Sequence, residues 1–207
     1  MQGREHAVMA AGAGIGVAIV ALGMQEYGLA ALAVPTAILG GKLPDCDHPS
    51  TKQGKVLNIL KPITISASLV FTVGALWAML KQYIQVNYTL IIIPALLLLL
   101  LTNKWFWQHR HGTHTLAFPI LFAVASYVCD SGTLLAIRYA LIGLNAGYLS
   151  HLYADMWTKK GDPILYPIIK KNIHFTNIKS ADTGKCMVIS ICNDVVFIIA
   201  AILIIMK

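Results

Sequence analysis

The stretch Leu43-Pro44-Asp45-Cys46-Asp47-His48-Pro49 sets two carboxylates and an imidazole within four residues, directly after a long apolar run. Carboxylates this close repel unless a cation or a proton lies between them, and Asp and His are ligands for divalent metals. The competing reading is a polar turn, since Pro44 and Pro49 break structure and Asp45 tolerates turns. Three further groups have the same character. His109, Arg110, His111 and His114 cluster around Gly112. His151 and Asp155 are four residues apart, which on a helix places them on one face, able to chelate an ion or to hydrogen-bond each other. His6 stands at the start of the first apolar run.

Together these groups provide eight candidate metal ligands: His6, Asp45, Asp47, His48, His109, His114, His151 and Asp155. That number serves two or three divalent ions per chain. A set of imidazoles and carboxylates suits Zn²⁺ best and also accepts Mn²⁺ or Fe²⁺. Ions bridged by carboxylate activate water near neutral pH and clamp a phosphoryl oxygen. Arg110 cannot bind a metal, because its guanidinium stays protonated; it can hold a phosphate bidentately, or anchor its helix to anionic lipid. Arg110 and Asp47 are the candidate catalytic residues.

The elements that must position these groups are apolar. Of 207 residues, 57% are hydrophobic and 12% charged, about half the charged share of a soluble domain. This is the composition of an integral membrane protein. Seven apolar runs are legible, at 7–24, 28–43, 62–80, 88–101, 116–129, 134–152 and 187–206. The second is short for a span of about 20 residues, and the seventh carries Asn193 and Asp194. The expectation is an all-α, polytopic transmembrane bundle of about seven spans. It forms a single domain over 1–207, with a Lys-rich cytoplasmic segment at about 156–185. Gly12, Gly14 and Gly16 are read as surfaces for close helix packing and not as a nucleotide loop, because no strand precedes them and position 17 is Val. Cys46, Cys129, Cys186 and Cys192 form no paired motif and imply neither a zinc ribbon nor a disulfide framework.

Basic residues settle the expected sidedness. Lys and Arg number 16 against 9 acidic residues, and they concentrate before the first run and in alternate connections: Lys42, Lys52, Lys55 and Lys61, then Lys104 and Arg110, then Lys159, Lys160, Lys170, Lys171, Lys179 and Lys185. The remaining connections hold Lys81 and Arg138. The positive-inside rule places the N-terminus and the Lys-rich connections in the cytoplasm. Each His and Asp named above as a candidate ligand then falls on one face; His174, in the basic loop, is left as a solvated or lipid-facing residue. The positive excess is assigned to anionic lipid headgroups, with no nucleic acid as partner.

Several motifs taken in order resemble a known family. They are His6, Leu43-Pro44-Asp45-x-Asp47-His48-Pro49, His109-Arg110-x-x-Thr113-His114, and Gly147-Tyr148-Leu149-Ser150-His151-x-x-x-Asp155 with Thr158 and Gly161 behind it. The chain resembles the YdjM-like, LexA-regulated inner-membrane proteins, classed as metal-dependent hydrolases, over most of residues 1–167. The His-x-x-x-Asp helix is also similar to that of zinc-dependent phospholipases C and nucleases. Residues 63–103 look like an insertion relative to that family; His111 stands where Gly is expected and Thr115 where Ser is expected. The resemblance implies a bacterial inner-membrane location and a metal-supported hydrolytic site. Combined with the cytoplasmic face and the headgroup-level position, the expected activity is metal-dependent hydrolysis of a lipid phosphoester or phosphodiester. Two rivals are a metal-ion transporter or sensor, which needs polar residues along a path through the spans, and a non-catalytic membrane protein with a structural metal site.

Overall fold

A computed structural model of the protein describes residues 3–47, 112–129 and 134–207, with isolated positions at 55, 62, 65, 66, 69, 70 and 73; at 47 and 128 only the backbone is described. The chain divides into two units, Met1–Pro44 with Thr113–Lys207, and Asp45–Gly112. The described residues of the first unit form five helices: α1 (Gly3–Gly23), α2 (Tyr27–Gly40), α3 (Ala117–Val128), α4 (Leu135–Met156) and α5 (Thr183–Ile205). Short 3-10 turns cover Pro44–Asp47 and Gly112–His114. The strand-like pairing among the described residues is limited to two isolated bridges, Thr158 with Ile178 and Asp162 with Ile173. The all-α expectation holds.

The seven-span count is not confirmed. The third and fourth runs lie almost wholly outside the described residues. The other five runs coincide with the five helices, but only α1 and α5 are both long and apolar enough to cross a bilayer. At 1.5 Å per residue, the 21-residue α1 covers about 31 Å, against about 30 Å of hydrocarbon. By the same measure α2 (14 residues) and α3 (12 residues) fall short. The apolar run containing Asn193 and Asp194 forms one continuous helix, α5, beginning at Thr183 behind the Asp182 cap. Its Val188, Ile191, Val195, Ile199, Leu203 and Ile204 are exposed. A continuous apolar face of this kind is costly in water and is stabilised by lipid.

α1 packs on α2, α4 and α5, and α4 also packs on α2 and α3. Small residues let these backbones approach. A Cβ on Gly14 would meet Val34 Cα at 2.8 Å, and one on Gly147 would meet the Ala37 carbonyl oxygen at 1.8 Å. The expected packing role of the N-terminal glycines is therefore observed. Gln25, at φ 63°, reverses the chain between α1 and α2. Within α2, Pro35 removes one backbone donor, and the Thr36 hydroxyl donates to the Leu32 carbonyl at 2.6 Å. These connections return the N-terminal part of α1, the C-terminal ends of α2 and α4, and the N-terminal end of α3 to one end of the unit.

Residues 157–182 leave the helical pattern and fold back on α4. Phe175 N–H donates to the Met156 carbonyl at 2.7 Å, and Lys159 N–H to that of Ile178 at 2.8 Å. Tyr153, Trp157 and Phe175 form an edge-on aromatic cluster beneath this return. At Gly161 the backbone has φ +59°, and an added Cβ would lie 2.3 Å from the Ile173 carbonyl oxygen, so only glycine fits. That turn carries Asp162 into the interior, where Asp162 and Ile173 exchange backbone hydrogen bonds at 3.2 and 2.9 Å. The Lys-rich segment therefore contains a buried portion.

Candidate metal centre

Five side chains converge at this end of the first unit. His6 comes from α1, His114 from the turn before α3, His151 and Asp155 from α4, and Asp162 from the loop behind it. Each is at most 2% exposed. His6 Nε2 lies 3.3 Å from Asp155 Oδ1, while His114 Nε2 and His151 Nε2 lie 4.0 and 3.9 Å from Asp155 Oδ2. The His6 and His151 rings stack with centroids 3.7 Å apart, and His114 meets His151 edge-on at 5.5 Å. Among the described residues of the first unit two triads result, His6 with His151 and Asp155, and His114 with Asp155 and Asp162; within each, the ligand atoms lie within 4.8 Å of one another. Asp155 belongs to both.

The supporting contacts orient the rings. His151 Nδ1 lies 2.7 Å from the Gly41 carbonyl oxygen. A carbonyl only accepts, so Nδ1 carries the proton, and in neutral imidazole Nε2 presents a lone pair toward Asp155. A lone pair facing a carboxylate is unfavourable unless a cation or proton lies between them. His114 Nδ1 is 3.1 Å from the Thr113 hydroxyl, and the Tyr148 hydroxyl donates to the Thr113 carbonyl. Tyr148 is held in turn against Phe118 and Phe122. Thr158 donates to the Asp155 carbonyl at 2.8 Å. His6 Nδ1 is buried and has no hydrogen-bond partner among the described residues. Three imidazoles and two carboxylates, withdrawn from water and mutually facing, form a donor set that fits divalent cations of the Zn²⁺, Mn²⁺ or Fe²⁺ type. Such cations also offset the cost of burying the carboxylates.

Of the eight ligands expected from sequence, the first unit brings together its own four, His6, His114, His151 and Asp155. Asp45 lies half-buried in the Pro44–Asp47 turn, in the second unit. The Asp47 side chain, and His48, His109 and Arg110 entirely, lie outside the described residues. His174 is exposed, as expected. Two acidic residues escaped the sequence reading. Asp162, 0% exposed, belongs to the second triad, and Glu5, 3% exposed, is buried next to His6 in the first turn of α1. The available signal for Asp162 was Gly161-Asp162-Pro163, a carboxylate enclosed by two turn formers seven residues after Asp155.

A family model described as YdjM inner membrane protein matches residues 1–206. The inner membrane protein YdjM of Escherichia coli (strain K12) and that of Shigella flexneri are each 29% identical over 135 residues, 65% of this chain and 48% of theirs. The chain thus spans about half the length of the curated relatives it matches. No solved structure matches.

Proposed function

The chain belongs to the YdjM family of inner membrane proteins, and on that premise we propose that it is a membrane-bound, metal-dependent hydrolase of a phosphoester or phosphodiester. The observation that carries this reading is the sharing of Asp155 between two His/Asp triads. A carboxylate common to two sets of ligands is the arrangement that holds two cations side by side. Cations held there supply an activated water and positive charge for a phosphoryl oxygen. The chain's own residues do the rest. The Gly41 carbonyl fixes the His151 tautomer, Thr113 orients His114, and the Asp162–Ile173 bridge holds the second carboxylate in place. Arg110, four residues before His114 in sequence, is the candidate phosphate clamp. A membrane lipid is the proposed substrate, and the positive-inside pattern points the centre toward the cytoplasm, at headgroup level.

A second reading is a closed structural site, favoured by the near-complete burial of all five ligands. One experiment separates the two. Purified protein is analysed for bound metal by elemental mass spectrometry and assayed for phosphate or headgroup release from a panel of lipid phosphoesters and phosphodiesters. Hydrolysis requires at least two ions per chain and turnover abolished by chelation. Fully metallated protein that turns over nothing in the panel establishes the structural reading, and metal-free protein with unaltered melting in chelator removes both.

A further inference from the structure

The pairing that holds Asp162 also closes a finger. Asp162 and Ile173 exchange backbone hydrogen bonds at 3.2 and 2.9 Å, and residues 163–172 loop out between them. Further bonds fix the finger's shape. Leu116 N–H donates to the Ile164 carbonyl at 3.1 Å, Tyr166 N–H to that of Pro163 at 2.9 Å, and Ile169 N–H to that of Leu165 at 3.0 Å. The last bond closes a single helical turn, which puts Leu165, Ile168 and Ile169 on one side. All three are exposed, Ile168 to 89%. Lys170 and Lys171 follow directly and are exposed too. From Pro163 to Ala181 the chain carries Lys170, Lys171 and Lys179 and no acidic residue. Aliphatic side chains displayed on a pinned backbone are costly in water, because the tip cannot fold away to bury them.

The finger's position identifies what covers it. It lies between the end of α4 at Met156 and the start of α5 at Thr183. Gly12 faces Asp194 and Gly23 faces Ile205, so α1 and α5 run parallel. These are the helices long and apolar enough to cross a bilayer, and both begin at the end that holds the metal centre. The tip therefore stands where the spans enter the membrane. An aliphatic tip beside paired lysines, on a segment without carboxylates, matches an anionic lipid surface: the apolar groups sink to the acyl boundary and the ammonium groups stay among the phosphates.

We propose that residues 163–172 form a membrane-interface anchor, in which Leu165, Ile168 and Ile169 enter the acyl boundary of an anionic bilayer and Lys170 and Lys171 hold its headgroup phosphates. Asp162 stands at the finger's base, so the anchor sets the metal centre against the lipid surface. It does not require the centre to be hydrolytic, and it is read without turnover.

The test replaces Ile168 with the photo-crosslinking residue p-benzoylphenylalanine in the full chain, in nanodiscs of phosphatidylcholine and phosphatidylglycerol, and identifies the adducts by mass spectrometry. A second variant carries the probe at Ile169. A third carries it at Ile199, exposed on α5, and reports the lipid mixture around the span. Lipid adducts should dominate at both finger positions. Phosphatidylglycerol should be enriched there roughly fivefold or more over its share at Ile199, because each lysine near an anionic surface contributes about that factor. Adding Lys170→Gln and Lys171→Gln should return the share to that at Ile199 and leave the Tm and bound metal unchanged. Adducts with residues 45–112 or with a second copy of the chain overturn the anchor and name a different occupant. Absence of any adduct at both positions overturns it as well. So do lipid adducts without phosphatidylglycerol enrichment, or an enrichment that survives removal of both lysines.

Discussion

Replacing Asp155 with Asn keeps the side chain's volume and removes its charge from both triads at once. Asp162 belongs to one triad and His6 to the other. The expected stoichiometries therefore differ: about two ions in wild type, about one in Asp162→Asn and in His6→Ala, and close to none in Asp155→Asn. Stability should follow. An ion present at a hundred times its Kd stabilises the folded chain by about 2.7 kcal/mol, so two contribute about 5 kcal/mol. For a chain of this length 1 kcal/mol shifts Tm by roughly 2–4 °C, which predicts a loss of roughly 10–20 °C for Asp155→Asn and about half that for the single-triad variants. Elemental analysis and thermal unfolding, each with and without chelator, check this. Chelator should lower the Tm of wild type and leave Asp155→Asn unmoved. If Asp155→Asn loses no more metal than Asp162→Asn, Asp155 is not shared and the two-ion argument fails.

Three further outcomes are expected. Gly147→Ala puts a methyl against the Ala37 carbonyl, where a Cβ would lie at 1.8 Å; α2 and α4 must separate, at a cost of about 1–3 kcal/mol or more, and because Gly41 follows on α2's C-terminal end, occupancy of the His151 triad should fall along with the Tm. An unchanged Tm would contradict the packing. Arg110→Ala should keep its metal and lose roughly 10²-fold in turnover, with Arg110→Lys recovering part; joint loss of metal and activity would remove Arg110's role as phosphate clamp. Lys185, through its ammonium and then its backbone N–H, holds the Asp182 carboxyl below its ordinary value. With the folded pKa lowered, this contribution is full above the unfolded pKa of about 3.9 and is lost as pH falls through the folded value. Amide exchange in the first turn of α5 should therefore be faster in Asp182→Ala than in wild type at neutral pH, and the difference should shrink in acid; a difference constant with pH would sink the argument.

Local order and composition were enough to establish a helical, apolar chain with His and Asp at the ends of its runs, because apolar length and residue type act within a few turns. The His151/Asp155 pair was legible for the same reason, since four residues on a helix place two side chains on one face whatever surrounds them. His6 and His114 were legible as candidates through their positions at the starts of apolar runs. Their meeting with Asp155 was decided by packing, through glycines that let α1, α2 and α4 close to backbone contact. Asp162 shows the limit most plainly. In sequence it is one acidic residue in a Lys-rich loop, and the flanking Gly161 and Pro163 mark a turn without telling a buried carboxylate from a solvated one. Its burial depends on a left-handed turn at Gly161 and on hydrogen bonds to Ile173, eleven residues further on. The sequence by itself thus determined which residue types stand at the ends of the apolar runs. Only the tertiary structure decided which of them share a centre, because that depends on the distances between elements, and contacts distant in the chain set those distances.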